Sequence, residues 1–490
     1  MPVNDMHEQY EKSAPKWKRC RHMADGSDSL KSRDNRVLYL PALTAQSDSE
    51  YSAYVERAMV YNGTGRTIQG LSGACFRKDP KIEMGVEALD EWLKDVTGEN
   101  IPVSTYSHTL LNEVLEVGRV GVWVDMAPES ERPMEGQNMP YLVTVLAENI
   151  RNWKVERQNG KMTLTQVVIE EQYIKADDPF KPEMDVQYRV LQLNNGIYEQ
   201  VVWRKKVVSE NSVAGGDEWV AAEPIIPTRR QEALTYIPFV FIGPTALTCD
   251  VEKPPLLDLV DVNLSHYRNS ADLEHGRHFC GLPTPWVAGF PKEKKLRIGS
   301  NVAWVSDRPE AKAGMLEFTG QGLGALETAL ESKEKHMAAL GARLLEEQKS
   351  GVEAAQTVML RQSGEAATLQ SMIKTVSRGL KLALVWAAEW AGHADAEVVA
   401  ELNTDTTSVY ASPQELQALV LALQNGGMSF ETYYANLERL EMTRPDVKAE
   451  DEMALIKAQE ENSLEFRPAN GGPTPEDEAR MDQQVNAIGA

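Results

Sequence analysis

Cysteine is scarce in this chain. The four cysteines, Cys20, Cys75, Cys249 and Cys280, lie far apart and form no C-x-x-C pair. That spacing suggests neither a zinc ribbon nor a disulfide framework, and a reducing compartment is the default expectation. Basic charge is also short, with 51 Lys and Arg against 73 Asp and Glu and a formal net charge of −22. A protein that grips nucleic acid by its phosphates shows a basic face, and none is present globally. The acidic balance speaks first for solubility. No uncharged apolar run is long enough to span a bilayer. The opening residues MPVNDMHEQYEKSAPKWKRC carry no apolar h-region, so the expectation is assembly in the cytosol. Walker A, G-x-S-x-G, the Rossmann fingerprint and H-E-x-x-H are all missing, and with them the local signatures of the commonest enzyme classes. Without a Walker A there is no P-loop ATPase.

What is present is an ordinary globular content, 42% apolar and 25% charged, long enough for about three domains. Residues 1–35 are polar, with Lys16, Lys18, Arg19 and Arg21 clustered, and read as a solvated terminus or as an arm docking on a neighbouring subunit. Ser47, Asp48 and Ser49 are N-cap candidates for a helix carrying Tyr51, Tyr54, Val55 and Ala58. Gly63-Thr64-Gly65 follows no strand and reads as a helix interruption, not a phosphate loop. Two helices follow at about 86–96 and 103–117. The period then changes to two. Segments 118–126, 141–147, 161–170, 184–193, 198–209 and 236–243 read as antiparallel strands, separated by turn signals such as Asn194-Asn195-Gly196. Helices first and strands after argue for an α+β class.

From Pro254 the pattern is helical again to about Cys280, with Leu256, Val260, Leu264, Tyr267 and Ala271 on one stripe. A strand-rich insert over 281–319 offers 284–290, 301–307 and 314–320 as short strands. A second helix runs over about 323–340, a charged break over 341–351, and one long helix from 352 to about 390. A helix that long needs neighbours along its whole length. Ser412 and Glu415 form a capping box for a small helical region, and the Pro-, Gly- and acid-rich end predicts disorder.

Two constellations invite a chemical reading. His266, Glu274, His275, His278 and Cys280, with Asp258 and Asp261, hold metal-ligating side chains. Glu274 and His278, at i,i+4, could share a helical face while His275 points elsewhere, and the set is read as polar faces of a packed helix. Arg343, Leu344, Leu345, Glu346, Glu347 and Lys349 sit between Gly341 and Gly351. They read as an ordinary helix connection or as a loop projecting into a channel.

The order of these parts resembles bacteriophage portal proteins, and among them a subgroup filed as a domain of unknown function. The resemblance is carried by YNGTGRTIQGLSGACFRKDP (61–80), PPLLDLVDVNLSHYRNSADLEHGRHFCGLPTPW (254–286) and the helix–break–helix of 323–390, and it covers about residues 35–440. It implies a portal-like architecture: an arm (1–35), an α/β wing (36–250), stem helices (251–280 and 320–340) and a small α/β clip (281–319). A tunnel loop (341–351), a spine helix (352–394) and a helical crown (395–462) would follow, with an acidic tail at 463–490. It implies a ring, dodecameric in this family, at one capsid vertex, passing double-stranded DNA inward at packaging and outward at ejection. Its implied partners are the terminase large subunit, adaptor, head-completion and tail proteins, capsid and scaffolding proteins, and DNA by transient contact. No catalytic residue, metal or cofactor comes with it. On this reading Arg343 and Lys349 approach phosphates, and Lys292, Lys294, Lys295 and Arg297 of the insert meet an acidic partner or DNA. Another virion structural protein, or a metal-dependent nuclease, are the competing expectations.

Overall fold

The computed structural model describes residues 2–127, 139–158, 160–176, 180–206, 218–282, 284–290, 304–316, 320–341, 355–404, 413–440, 442–444 and 447–465. The chain divides into two compact units, residues 1–406 and 407–490.

The first unit opens with helices α1 (Glu8–Asp25), α2 (Ser27–Lys31), α3 (Arg36–Tyr39), α4 (Asp48–Arg57) and α5 (Gly63–Cys75). Strand β1 (Lys81–Glu83), α6 (Glu87–Trp92) and α7 (Val103–Val117) follow. Then come β2 (Val120–Asp125), β3 (Tyr141–Leu146), β4 (Ile150–Gln158), β5 (Lys161–Ala176), β6 (Glu183–Asn194), β7 (Ile197–Lys205) and β8 (Trp219–Ala221). Two-residue strands β9 (Thr228–Arg229) and β10 (Glu232–Ala233) precede β11 (Phe239–Ile242). The rest is α8 (Leu257–Gly281), β12 (Thr284–Ala288), β13 (Lys312–Leu316), α9 (Leu323–Ala339), α10 (Ala355–Trp390) and β14 (Val399–Glu401). The class is α+β: two main antiparallel sheets, ordered β11-β2-β3 and β4-β5-β6-β7-β8, pack with the helices around one core.

Local chemistry explains the boundaries. Ser47 caps α4 in a capping box with Glu50, which satisfies orphan N–H groups at that end. Asn62 caps α5 through Oδ1 to Gly65 N, so the Gly63-Thr64-Gly65 run is the opening turn of a new helix. Asn195 and Gly196 both take positive φ, 52° and 81°, as a two-residue hairpin turn between β6 and β7 requires. The apolar stripe of α8 is buried as its spacing predicts: Leu256, Val260, Leu264, Tyr267 and Ala271 all lie in the core. The second half of α10 buries Leu369, Met372, Ile373, Val376, Leu380, Ala383 and Leu384 against α7, β2, β11 and β14.

Several expectations are corrected. The N-terminal stretch is not a solvated arm. His7 caps α1 by accepting Gln9 N on Nδ1 (3.1 Å), and Tyr10, Trp17, Cys20 and Met23 are buried against α5, α7 and α8. Burying large side chains of this kind stabilises by about 1.5–3 kcal/mol each. Of the basic residues between them, Lys16 and Lys18 are exposed, while Arg19 and Arg21 are partly buried and paired with carboxylates. The helical region expected from 395 starts later, because Val398, Ala400 and Leu402 are buried in the first unit and β14 pairs with β1. No strand forms at 304–307. Strands β1, β4, β8 and β14 carry no expectation from the sequence. In β4 a bulge between Ile150 and Asn152 breaks the two-residue alternation that would reveal it.

The second unit holds α11 (Pro413–Gln424), α12 (Phe430–Arg439) and α13 (Ala449–Glu465). Ser429 caps α12 by accepting Thr432 N (3.2 Å). Tyr434 is buried and donates its hydroxyl hydrogen bond to Val447 O (2.8 Å). Ser412 lies outside the described residues.

Candidate functional site

The feature that sets this fold apart is an antiparallel helix pair, α8 and α9, that leaves the core and carries a strand pair at its outer end. Its inner end is pinned by polar groups. Asn263 is fully buried and donates through Nδ2 to Tyr61 O (2.6 Å). Its Oδ1 accepts from Thr64 N and Thr64 Oγ1, both at 3.0 Å. Three satisfied bonds thus tie α8 to the opening of α5, and leaving such groups unpaired is costly. Arg268 donates to Tyr39 O (2.8 Å) and Tyr54 OH to Asp272 Oδ1 (2.6 Å).

His266 is 2% exposed and its Nε2 lies 3.3 Å from Glu334 Oε1 on α9. Burial lowers its pKa against the opposing pull of Glu334, so the ring is neutral near pH 7. A carboxylate only accepts, which places the proton on Nε2. Lys333 reaches back to Ser265 O (3.1 Å). Towards the outer end Arg277 bridges Glu274 (2.8 Å) and Glu327 on α9 (2.9 Å) in the open. An exposed pair of this kind adds little stability.

The metal-ligating residues of α8 go to separate partners. Asp258 pairs with Lys253 (2.7 Å) and Asp261 with Arg19 (3.0 Å). Glu274 takes Arg277, and His278 Nε2 lies 3.3 Å from Arg57. The His275 ring meets Tyr54 and Phe279 edge-on. Among the described residues no three His, Cys, Asp or Glu side chains are grouped to share a metal ion. The Cys20 and Cys75 thiols are buried and pushed up to about 12, so neither is a thiolate at neutral pH.

The outer end is different in character. α9 buries only Met337 and Ala338 among its apolar side chains and packs chiefly on α8. Strands β12 and β13 pair in register from Thr284↔Leu316 to Ala288↔Lys312. Trp286 faces Gly314, and a Cβ there would stand 2.9 Å from the indole Nε1. Glycine at 314 therefore lets the indole lie across the partner strand. Trp286 is 43% exposed, Met315 52% and Leu282 62%. Beneath the pair, a cavity of about 600 Å3 opens between the end of α8 and the start of α9, lined by Phe279, Cys280, Leu323 and Leu326 among others. Sequence reasoning placed the basic run of the insert foremost and missed these apolar side chains. The signal available was the apolar content of the insert itself, with Trp286, Val287, Met315 and Leu316 in its flanking segments.

Arg343, Leu344, Leu345, Glu346, Glu347 and Lys349 lie outside the described residues, as do Lys292, Lys294, Lys295 and Arg297. What the structure gives is their anchorage: Gly341 and Ala355 flank the first set, Phe290 and Trp304 the second.

A family described as a domain of unknown function (DUF4055) matches residues 255–391. Its limits fall at the start of α8 and the end of α10, so the matched part is the helix pair, its insert and the long helix. No curated protein matches the chain.

Proposed function

We propose that the chain is a subunit of a phage portal, a ring at one capsid vertex that conducts double-stranded DNA during packaging and ejection. The observation that carries this reading is the helix pair: buried and pinned where it leaves the core, exposed at its far end, and followed by a helix of 36 residues that returns into the core. A monomer has little use for a projecting pair with exposed apolar side chains on its tip. A ring built from head-to-tail contacts does, since every copy covers part of the next. On this reading α8 and α9 are the stem, β12 and β13 belong to the clip, and residues 341–351 reach the channel.

The charge supports the same role. At physiological salt the screening length is about 8 Å. Acidic walls of a protein with net charge −22 would repel phosphates only at short range and leave DNA free to slide. The partners are then the terminase, adaptor and head-completion proteins at the clip, with capsid and scaffolding proteins around the ring, and the place of action is the virion. Negative-stain imaging of the purified full chain tests it. Rings with an axial channel are expected. A chain that stays monomeric by light scattering at tens of micromolar, with no rings in the images, rejects the proposal.

A further inference from the structure

The five-stranded sheet has a second face with its own chemistry. One face of β5, β6 and β7 enters the main core through Val167, Ile169, Leu191 and Tyr198. The other buries Val168, Tyr188, Val190 and Val201 in a separate cluster, with Val3, Trp203 and Trp219 packed against it. The N-terminal segment is fixed at the sheet's β4 edge, where it reaches both faces. His7 N donates to Arg151 O (2.9 Å), Asn152 donates to Asp5 O (3.1 Å), and the His7 ring stacks on Trp153 with centroids 4.0 Å apart. Between this segment and β8 lies a cavity of about 490 Å3.

Its lining has one sign of charge. Asp5 and Glu218 face it together with the indoles of Trp203 and Trp219 and the amides of Gln166 and Gln192, and no Lys, Arg or His among the described residues lines it. Glu218 is engaged by Lys206 (2.9 Å), and the Lys205 ammonium stands 5.6 Å from the Trp219 ring. The rim thus already holds cations against both groups. Asp5 is half-buried, and its carboxylate makes no hydrogen bond or ion pair among the described residues. The Nε1 donor of Trp219 is itself buried without a partner among the described residues.

We propose that this cavity binds a lysine or arginine side chain presented by an extended segment of a partner protein. The cation would rest against the indoles, with Asp5 as its counter-charge. Aromatic faces attract cations through their quadrupole, and an unpaired carboxylate adds a charge-assisted hydrogen bond. The free charge comes from Asp5 alone, a single site that suits one side-chain cation and not a chain of several ammonium groups. The inference does not depend on the ring.

The test is calorimetric titration of the full chain with an N-acetylated, amidated Gly/Ser nonapeptide carrying one central Lys or Arg. The same peptide with central Glu, and spermidine, are the comparators. The basic peptides should bind, and the Glu peptide should not. Asp5→Asn and Trp203→Ala should each weaken binding by about tenfold, with Trp203→Phe restoring most of it and the melting temperature of Asp5→Asn unchanged. Absence of binding, equal binding by Asp5→Asn, or spermidine binding as tightly as the peptides would overturn the proposal.

Discussion

Arg21 sits among three carboxylates. It donates to Glu148 (2.9 Å) and Glu113, and pairs with Glu116 at 3.2 Å. Burial works against the guanidinium charge, and Glu148 and Glu113 more than restore it. The cluster still holds more negative than positive charge, and the strain falls on Glu116. Burial pushes its carboxyl up to about 7, with Arg21 opposing and Glu113 and Glu148 adding to the rise. The folded pKa lies above the ordinary value of 4.5, so the proton Glu116 holds stabilises the fold below about 4.5. That contribution declines as pH rises and is lost above about 7. Glu116→Gln removes the titration. Its melting temperature should exceed that of the parent at pH 8, by an amount corresponding to at most about 3 kcal/mol, and the difference should close by pH 5. Equal destabilisation at both pH values would mean that Glu116 is ionised in the fold and is needed as Arg21's partner.

At the scale of elements, α1 takes a role that the sequence does not give it. The N-terminal helix is core, while the insert is periphery: Trp286, Val287, Met315 and Leu316 are all exposed. Replacing residues 284–318 by a short Gly/Ser turn should therefore shift the thermal midpoint by only a few degrees, whereas deleting residues 1–25 should abolish cooperative unfolding. Differential scanning calorimetry reads both, and loss of the transition on removing the insert would show that it supports the core. Long elements with one unbroken period were legible: α7 begins and ends where its spacing predicts, and α8 starts three residues after Pro254. The illegible ones have physical excuses. α1 buries Tyr10, Ser13, Trp17, Cys20 and Met23 at steps of three and four, a stripe easily overlooked among the lysines and glutamates that fill the rest of the helix. β1 and β14 are three residues each and pair across more than three hundred positions, and local pattern carries no information about such contacts.

For the whole molecule, the helix pair, the insert and the long helix were readable because turn residues punctuate them. The inner polar pins, such as Asn263, were not, since their partners come from distant helices. The candidate DNA-facing residues rest on resemblance, and their role is decided by function. Gly341 ends the described part of the helix pair and α10 begins at Ala355. The span between them is bounded by a buried end of α9, where Met337 and Ala338 pack, and by a helix whose later turns are core. Shortening it at its centre removes no described core contact, so assembly should survive. If the span faces DNA in a ring, its loss should be felt only when DNA passes or must be held. Deleting residues 343–349 should thus leave ring formation intact by negative stain while packaging falls, or packaged DNA leaks, in a complementation assay that measures nuclease-protected genome. Rings that package and retain DNA normally would remove these residues from the channel, and rings that fail to form would make the span part of the subunit interface.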